Sequence, residues 1–509
     1  MRIFVVNKVI LSLASALRLS ACASLPMIGD APLAPKPTPV TPAADLQSAP
    51  VWDGFAPEDL PDTNWVASFD DAVLNALVDE AMAENRNIKS AYSRLAAANT
   101  RLKISKADKK PTINGNFSVG RNQRGNDIFA SSNSINLNNT MSWEWDLWGR
   151  VRDRIASSRL DIDATKADLA GASLSVAGQV SQNWFDLIEA QLLTELSERE
   201  VVTRERSLRL TQRRYEGGVA ESSDVRLASS TLANAKATQS QREQTLASMS
   251  RGLEILLSRY PSQELEAATE LPSLPPLTGA ANPQYVLARR PDLMAAEARL
   301  YAQGLRIDDA RRALMPSLTF SANPGLLGTS IANTFDPAGF AATVTAGLTR
   351  PLYQGGRLKA DIVQQEAILQ EQIDAYANTA LTAFLEVENA LHAEQKLAEQ
   401  EEAFLEAFTQ SRKAEERLEL RYSEGLATIL QLLDAQSRSL TSEGQLIGAR
   451  KSRLSNRVRL HMALGGGHYG DADSLFGITA QTVQSDTAPS TLTSPHAPTK
   501  PVQIDALTP

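Results

Sequence analysis

Ser142-Trp143-Glu144-Trp145-Asp146-Leu147-Trp148-Gly149-Arg150-Val151-Arg152 joins two kinds of periodicity. Up to Asp146, polar and apolar side chains alternate with the period of a strand; beyond Gly149 a very long helical pattern begins. A related junction, Leu348-Thr349-Arg350-Pro351-Leu352-Tyr353-Gln354-Gly355-Gly356-Arg357-Leu358, sets Gly356-Arg357-Leu358 207 positions after Gly149-Arg150-Val151. The chain is therefore built twice. Two strand-to-helix junctions per chain predict a membrane-embedded β-barrel continuous with a helical conduit.

Working outward, the strand side of each junction carries a second strand. Ile113, Gly115, Phe117 and Val119 alternate with Asn114, Asn116, Ser118 and Gly120. Ile135, Leu137, Met141, Trp143 and Trp145 then share one face, opposite Asn136, Asn138, Thr140, Ser142, Glu144 and Asp146. In the second half Leu318 and Phe320 oppose Ser317, Thr319 and Ser321, and Phe340, Val344 and Leu348 oppose Thr343, Thr345 and Thr349. Each strand alone fits a half-exposed soluble sheet. Four of about ten residues, with tryptophans at one end, fit a membrane barrel better. Four strands cannot close a barrel, for which about eight is the minimum. The edges then require oligomerisation. The intervening loops, Arg121 to Ser134 and Asn323 to Gly339, are polar or rich in Gly and Pro, and are expected to face outside the cell.

On the helical side, Arg152 to Arg214 contains no proline, and Leu358 to Arg421 is similar. Leu174, Ala177, Val180 and Trp184 have counterparts at Leu381, Phe384, Val387 and Leu391 in near-heptad spacing, the mark of coiled-coil packing. Each helix meets a glycine turn: Arg214-Tyr215-Glu216-Gly217-Gly218-Val219-Ala220, and Arg421-Tyr422-Ser423-Glu424-Gly425-Leu426-Ala427. Ser223 or Asp224 is expected to cap the first returning helix, and the returns run to about Ser258 and Leu464. One helix is expected from Asp71 to Lys109 before Pro111, with a counterpart from Asp292 to Leu314 before Pro316.

The ends read differently. Arg2, Lys8 and the apolar run Val9 to Leu17 lead to Leu19-Ser20-Ala21-Cys22, an export signal ending in a lipobox. Cys22 is the one cysteine in the chain; a buried structural thiol is the competing reading, and Arg18 weakens the signal's apolar core. Ala23 follows where an aspartate would signal inner-membrane retention, so the outer membrane is the expected destination. The expected organisation is a signal peptide at 1–21, a Pro-rich lipid-anchored tether at 22–62, repeats at 63–280 and 281–468, and a disordered tail at 469–509.

A net charge of −8 supplies no global basic field, and nucleic acid is not an expected partner. No His-Glu-x-x-His, P-loop, Gly-x-Ser-x-Gly or cysteine cluster is present, so no catalytic, cofactor or metal residues are assigned and no enzyme is expected. Of the four histidines, His392, His461, His468 and His496, the first sits in a heptad helix and the last lies in the tail. A lipid-tethered periplasmic coiled-coil protein would share the long helices, but has no use for four matched amphipathic strands.

Ala288-Arg289-Arg290-Pro291-Asp292-Leu293 with Ala296-Glu297, the Trp145-Asp146-Leu147-Trp148-Gly149-Arg150 junction, the paired Tyr-x-x-Gly turns and the closing Ala463-Leu464-Gly465-Gly466-Gly467 occur in order along the chain. Together they resemble the bacterial outer-membrane factor family, the TolC-type channels. Within it they resemble the NodT-like lipoprotein branch that serves resistance–nodulation–division (RND) efflux pumps, over about residues 52 to 468. The resemblance implies an α+β homotrimer with a 12-stranded β-barrel continuous with a periplasmic α-helical barrel. It implies an efflux function, with a periplasmic adaptor and an inner-membrane RND pump as partners and outer-membrane lipid around the barrel. It places adaptor contacts at the periplasmic tip, on Tyr215, Gly218, Val219, Ala220, Tyr422, Gly425, Leu426 and Ala427. Acidic tip rings in relatives suggest a gate at Asp224 and Asp434, with the uncharged Gln431 where some relatives have another aspartate. A type I protein exporter is the nearest rival channel; the lipobox and the Arg289-Arg290-Pro291-Asp292 motif favour efflux.

Overall fold

The computed structural model describes residues 64–123, 131–276, 286, 288–328 and 340–466. Cys22, the signal, the tether, the centres of both strand loops and residues 467–509 lie outside them. The described residues all belong to the first of two units, Met1–Tyr469, the second being Gly470–Pro509.

A 3-10 turn at Trp65–Phe69 precedes α1 (Ala72–Glu84) and α2 (Arg86–Ala107). The single helix expected from Asp71 to Lys109 is thus broken at Asn85. At φ −59° and ψ 131° Asn85 leaves the helical region, and its Oδ1 accepts the Asn87 and Ile88 N–H groups at 2.8 and 3.4 Å, starting a new helix.

Strands β1 (Thr112–Gln123) and β2 (Ser131–Trp145) follow, then the hairpin of α3 (Arg150–Glu216) and α4 (Ser222–Leu256). The second repeat contains α5 (Pro291–Arg312), β3 (Ser317–Gly328), β4 (Phe340–Thr349), α6 (Arg357–Ser423) and α7 (Ile429–Ala463). α3 and α6 are each 67 residues long, and α4 and α7 each 35. Sixty-seven residues extend about 100 Å at the usual helical rise. Strands β1, β2 and β3 enter the stretches read from sequence as loops, because ladder hydrogen bonds persist there.

The four strands form one antiparallel sheet in the order β1-β2-β3-β4. The β2–β3 pair joins the repeats. Register puts Ile113 beside Met141, Phe117 beside Leu137, Trp143 beside Phe320 and Ala322 beside Val344, so one face is mainly apolar, interrupted by Asn139 opposite Gly115. Asn116 with Asn138 and Ser321 with Thr345 line the other.

At the helix starts Gly149 and Gly356 have φ of 79° and 82°, left-handed values that favour glycine. They turn the chain from sheet into helix. Asp146 caps α3 from outside it, accepting the Val151 and Arg152 N–H groups at 3.0 and 2.9 Å.

The short helices stack end to end. Asn85 Nδ2 donates to the Leu256 carbonyl at 2.7 Å, so α2 begins where α4 ends. Arg290 donates to the Ala463 carbonyl at 3.2 Å, so α5 begins where α7 ends. α5 packs between α3 and α6, and α7 packs against the same two helices.

A belt crosses these junctions. Phe69 packs on Phe185 with ring centroids 5.3 Å apart, Trp184 donates to Asp71 at 2.7 Å, and Trp65 stacks on His461. In the last turn of α4, the buried Glu254 carboxylate accepts the N–H groups of Gln263, Glu264 and Leu265 at 2.9, 2.6 and 3.3 Å, folding residues 259–265 back on the helix. Burial opposes ionisation of Glu254, but these donors hold its pKa below the ordinary value. Further on, the Pro275 carbonyl accepts from the buried Arg457.

Candidate functional site

Three regions carry the functional reading: the sheet, the hairpin tip and the wall between them. Among the described residues the apolar face of the sheet has no cover over its outer strands. Phe117, Val344 and Leu348 are 64%, 80% and 65% exposed, an arrangement that water would penalise and lipid would favour. Trp143, Trp145 and Phe320 cluster with centroids 5.8 to 6.3 Å apart at the end nearest the helices, as an interfacial aromatic girdle would. Among the described residues β1 and β4 each keep one unpaired edge, so the sheet is left open. Among the described residues no helix is long and apolar enough to cross a membrane.

At the other end, each long helix closes with a left-handed glycine, Gly218 at φ 73° and Gly425 at φ 83°. Val219 N–H returns to the Arg214 carbonyl at 2.8 Å and Leu426 N–H to the Arg421 carbonyl at 2.7 Å, satisfying carbonyls at the helix ends. Val219 and Leu426 project into solvent, 70% and 64% exposed, while Ala220 and Ala427 are half-buried behind them.

The paired tyrosines differ. Tyr215 is half-exposed by area, whereas Tyr422 is buried among Leu210, Ile429, Leu432 and Leu433. The Tyr422 hydroxyl meets Thr211 Oγ1 at 2.8 Å. Arg214 lies over its ring at 4.8 Å and donates to its backbone carbonyl at 2.6 Å. The second hairpin is thus tied to the first through Tyr422, which identical Tyr-x-x-Gly spacing could not reveal.

The expected first cap is corrected. Glu221 is the N-cap of α4, and Asp224 closes a capping box by accepting the Glu221 N–H at 3.3 Å. Ser223 donates to the Glu221 carboxylate at 3.1 Å. In the second turn Thr428 and Gln431 form the equivalent box, with Gln431 Oε1 accepting the Thr428 N–H at 3.0 Å. Asp224 and Gln431 therefore hold matching structural positions, and Asp434 pairs with Arg438 at 2.8 Å.

Between tip and belt lies a polar layer that periodicity did not single out. Buried Arg204 donates to Gln436 at 2.9 Å, and Gln436 donates to Ser207 at 3.0 Å, joining α3 to α7. Near the sheet, Arg312 pairs with the buried Asp153 at 2.8 Å. Burial raises the Asp153 pKa to about 6, against the pull of Arg312.

The outer membrane efflux protein model matches residues 77–259 and 282–466, one block for each repeat. The chain belongs to the outer membrane efflux protein family. A pyoverdine export outer membrane protein, OpmQ of Pseudomonas putida, is 29% identical over 438 residues, covering 81% of this chain and 90% of its own. Outer membrane protein OprJ of Pseudomonas aeruginosa is 28% identical, with 85% and 92% covered. The solved outer-membrane channel OprN superposes with a TM-score of 0.74 at 26% identity, covering 81% of this chain and 94% of its own. This efflux protein thus has the channel-protomer fold, in which each repeat gives two strands to a β-barrel and one long hairpin to a helical conduit. It is an outer-membrane efflux component.

Proposed function

We propose that three copies of this efflux protein close a 12-stranded barrel and a periplasmic helical conduit. The conduit takes small molecules from an inner-membrane RND pump through a periplasmic adaptor. The observation that carries this reading is the pairing of an edge-open sheet, apolar on one face, with two hairpins of equal length that end in matched glycine turns. Edge strands that cannot pair within one chain find partners in the next copy. The exposed Val219 and Leu426, set beside Gly218 and Gly425, offer small apolar knobs and grooves suited to an adaptor hairpin. Tyr215, Ala220 and Ala427 complete that surface, while Tyr422 supports it from behind.

Cys22 is proposed as the lipid anchor on the strength of the lipobox before it. Asp224, Gln431 and Asp434 stand at the start of the returning helices, where outward displacement of the hairpins would open the conduit; we assign the gate there.

The test is accumulation of a fluorescent dye, a β-lactam and copper in a deletion strain complemented by wild type or by Gly218→Trp with Gly425→Trp, at equal outer-membrane levels. Accumulation should rise on deletion, and wild type alone should restore export. Unchanged accumulation of all three compounds would refute the efflux assignment proposed for this set, and protein secretion would be tested next. Metabolic labelling with palmitate, lost in Cys22→Ala, checks the anchor.

A further inference from the structure

A groove of about 610 Å³ lies where α7 meets α5, flanked by α3 and α6. That size falls within the range of about 300–1,000 Å³ usual for small-molecule pockets. It opens on the side away from the belt. On α7 the side chains of Arg457 and His461 reach belt residues Pro275 and Trp65, whereas Arg459 and Ala463 face the groove. Those positions fall on opposite sides of a helix with 3.6 residues per turn. In the channel reading, on which this inference rests, the belt-free side is the lumen wall.

The groove's lining is amphipathic. Leu174, Pro291, Ala390 and Met462 supply apolar surface. Met462 enters because residue 178 is glycine; a Cβ there would overlap its sulfur. Both acidic groups are engaged by one cation: Arg290 holds Glu386 at 2.6 Å and Asp292 at 2.8 Å. The second cation of the groove, Arg459, is exposed and forms no ion pair among the described residues. The two arginines and two carboxylates of the lining balance formally, and the groove combines an apolar surface with one arginine at its edge that has no ion partner among the described residues.

We propose that this groove is a binding site in the channel wall for an anionic amphiphile, a drug-sized apolar body bearing one carboxylate or sulfonate received by Arg459. The apolar body displaces water from Leu174 and Met462, and the head group meets the guanidinium through charge-assisted hydrogen bonds. Such a site would hold cargo of this class midway along the conduit.

The probes are three dansyl-aminoalkyl compounds of equal chain length ending in a carboxylate, a neutral amide or an amine, titrated by fluorescence anisotropy against the full-length protein in lipid nanodiscs. The carboxylate should bind saturably and about tenfold tighter than the amine. Ala393 also lines the groove, and Ala393→Trp, which would fill it, should abolish binding of all three, whereas Arg459→Glu should invert the order and Arg459→Lys should keep it. Size-exclusion position and heat-modifiable migration confirm that each variant is folded. Equal binding of the three probes, or binding indifferent to Ala393→Trp, overturns the proposal. Export of a neutral dye is measured alongside in complemented deletion cells. Loss of that export in wild type would count against the channel reading alone, since the titration needs no transport.

Discussion

Arg290 donates to the Ala463 carbonyl at 3.2 Å in the second repeat, and Asn85 donates to the Leu256 carbonyl at 2.7 Å in the first. Two different residues thus tie the end of a returning helix to the start of the next, at equivalent points of the repeat. Each also organises the helix it precedes, Asn85 by capping α2 and Arg290 by pairing with Asp292 in the first turn of α5.

Arg290→Met would remove the bond to Ala463 and strand Glu386 and Asp292 without a cation. The expected loss of stability is about 2 kcal/mol, from charged hydrogen bonds of a buried guanidinium to half-exposed carboxylates. Asn85→Ala should cost about 1 kcal/mol as a lost cap. Denaturant unfolding followed by tryptophan fluorescence would compare the two; an equal or reversed order would contradict this account.

Val344 and Thr345 are neighbours on opposite faces of β4. Val344→Lys places a charge on the lipid side, at an expected cost of about 2–4 kcal/mol near the bilayer midplane. Thr345→Lys faces the water-filled side and should fold nearly normally. Heat-modifiable migration of membrane fractions reads the difference.

Tyr422 joins the hairpins through its ring, its hydroxyl and its carbonyl. Arg214→Ala removes both the ring contact and the carbonyl bond, and should raise single-channel conductance in planar bilayers several-fold. Tyr422→Phe loses only the hydroxyl contact, worth about 1 kcal/mol, and should produce a smaller rise. Unchanged conductance in Arg214→Ala would show that this contact does not hold the tip.

Asp153 and His461 should give stability opposite slopes with pH. Burial raises Asp153 from 3.8 to about 6, so the fold favours its protonated form and its contribution is lost as pH rises through about 6. Burial, with the nearby Arg457, lowers His461 from 6.5 to about 4, so the fold favours the neutral ring and its contribution is lost as pH falls from 6.5 towards 4. Each shift corresponds to about 3 kcal/mol across its window. Relative to wild type, Asp153→Asn should therefore gain stability from pH 4 to 6. His461→Phe, which preserves stacking on Trp65, should gain as pH falls from 6.5 to 4. Melting temperatures across pH 4 to 7 check both signs.

Much of the architecture was legible because it rests on period. Alternation at Trp143 and Trp145 and the long runs after Gly149 and Gly356 define strands, helices and junctions locally. Asn85 was missed because the apolar helical spacing continues across it, and its capping role depends on a single backbone rotation. Glu221 was missed as a cap because Ser223 and Asp224 are the more usual capping types, and which one lies outside the helix depends on the turn.

By itself the sequence determined the duplication, the two strand pairs, the two hairpins and the family. These follow from repeating side-chain chemistry along one dimension. Only the tertiary structure decided that β2 pairs with β3 across the repeats, that Tyr422 is buried while Tyr215 is not, and that Arg459 is left without an ion partner beside an apolar groove. Each depends on which distant segment comes to lie alongside. Two copies of one motif acquire different neighbours once they pack against each other.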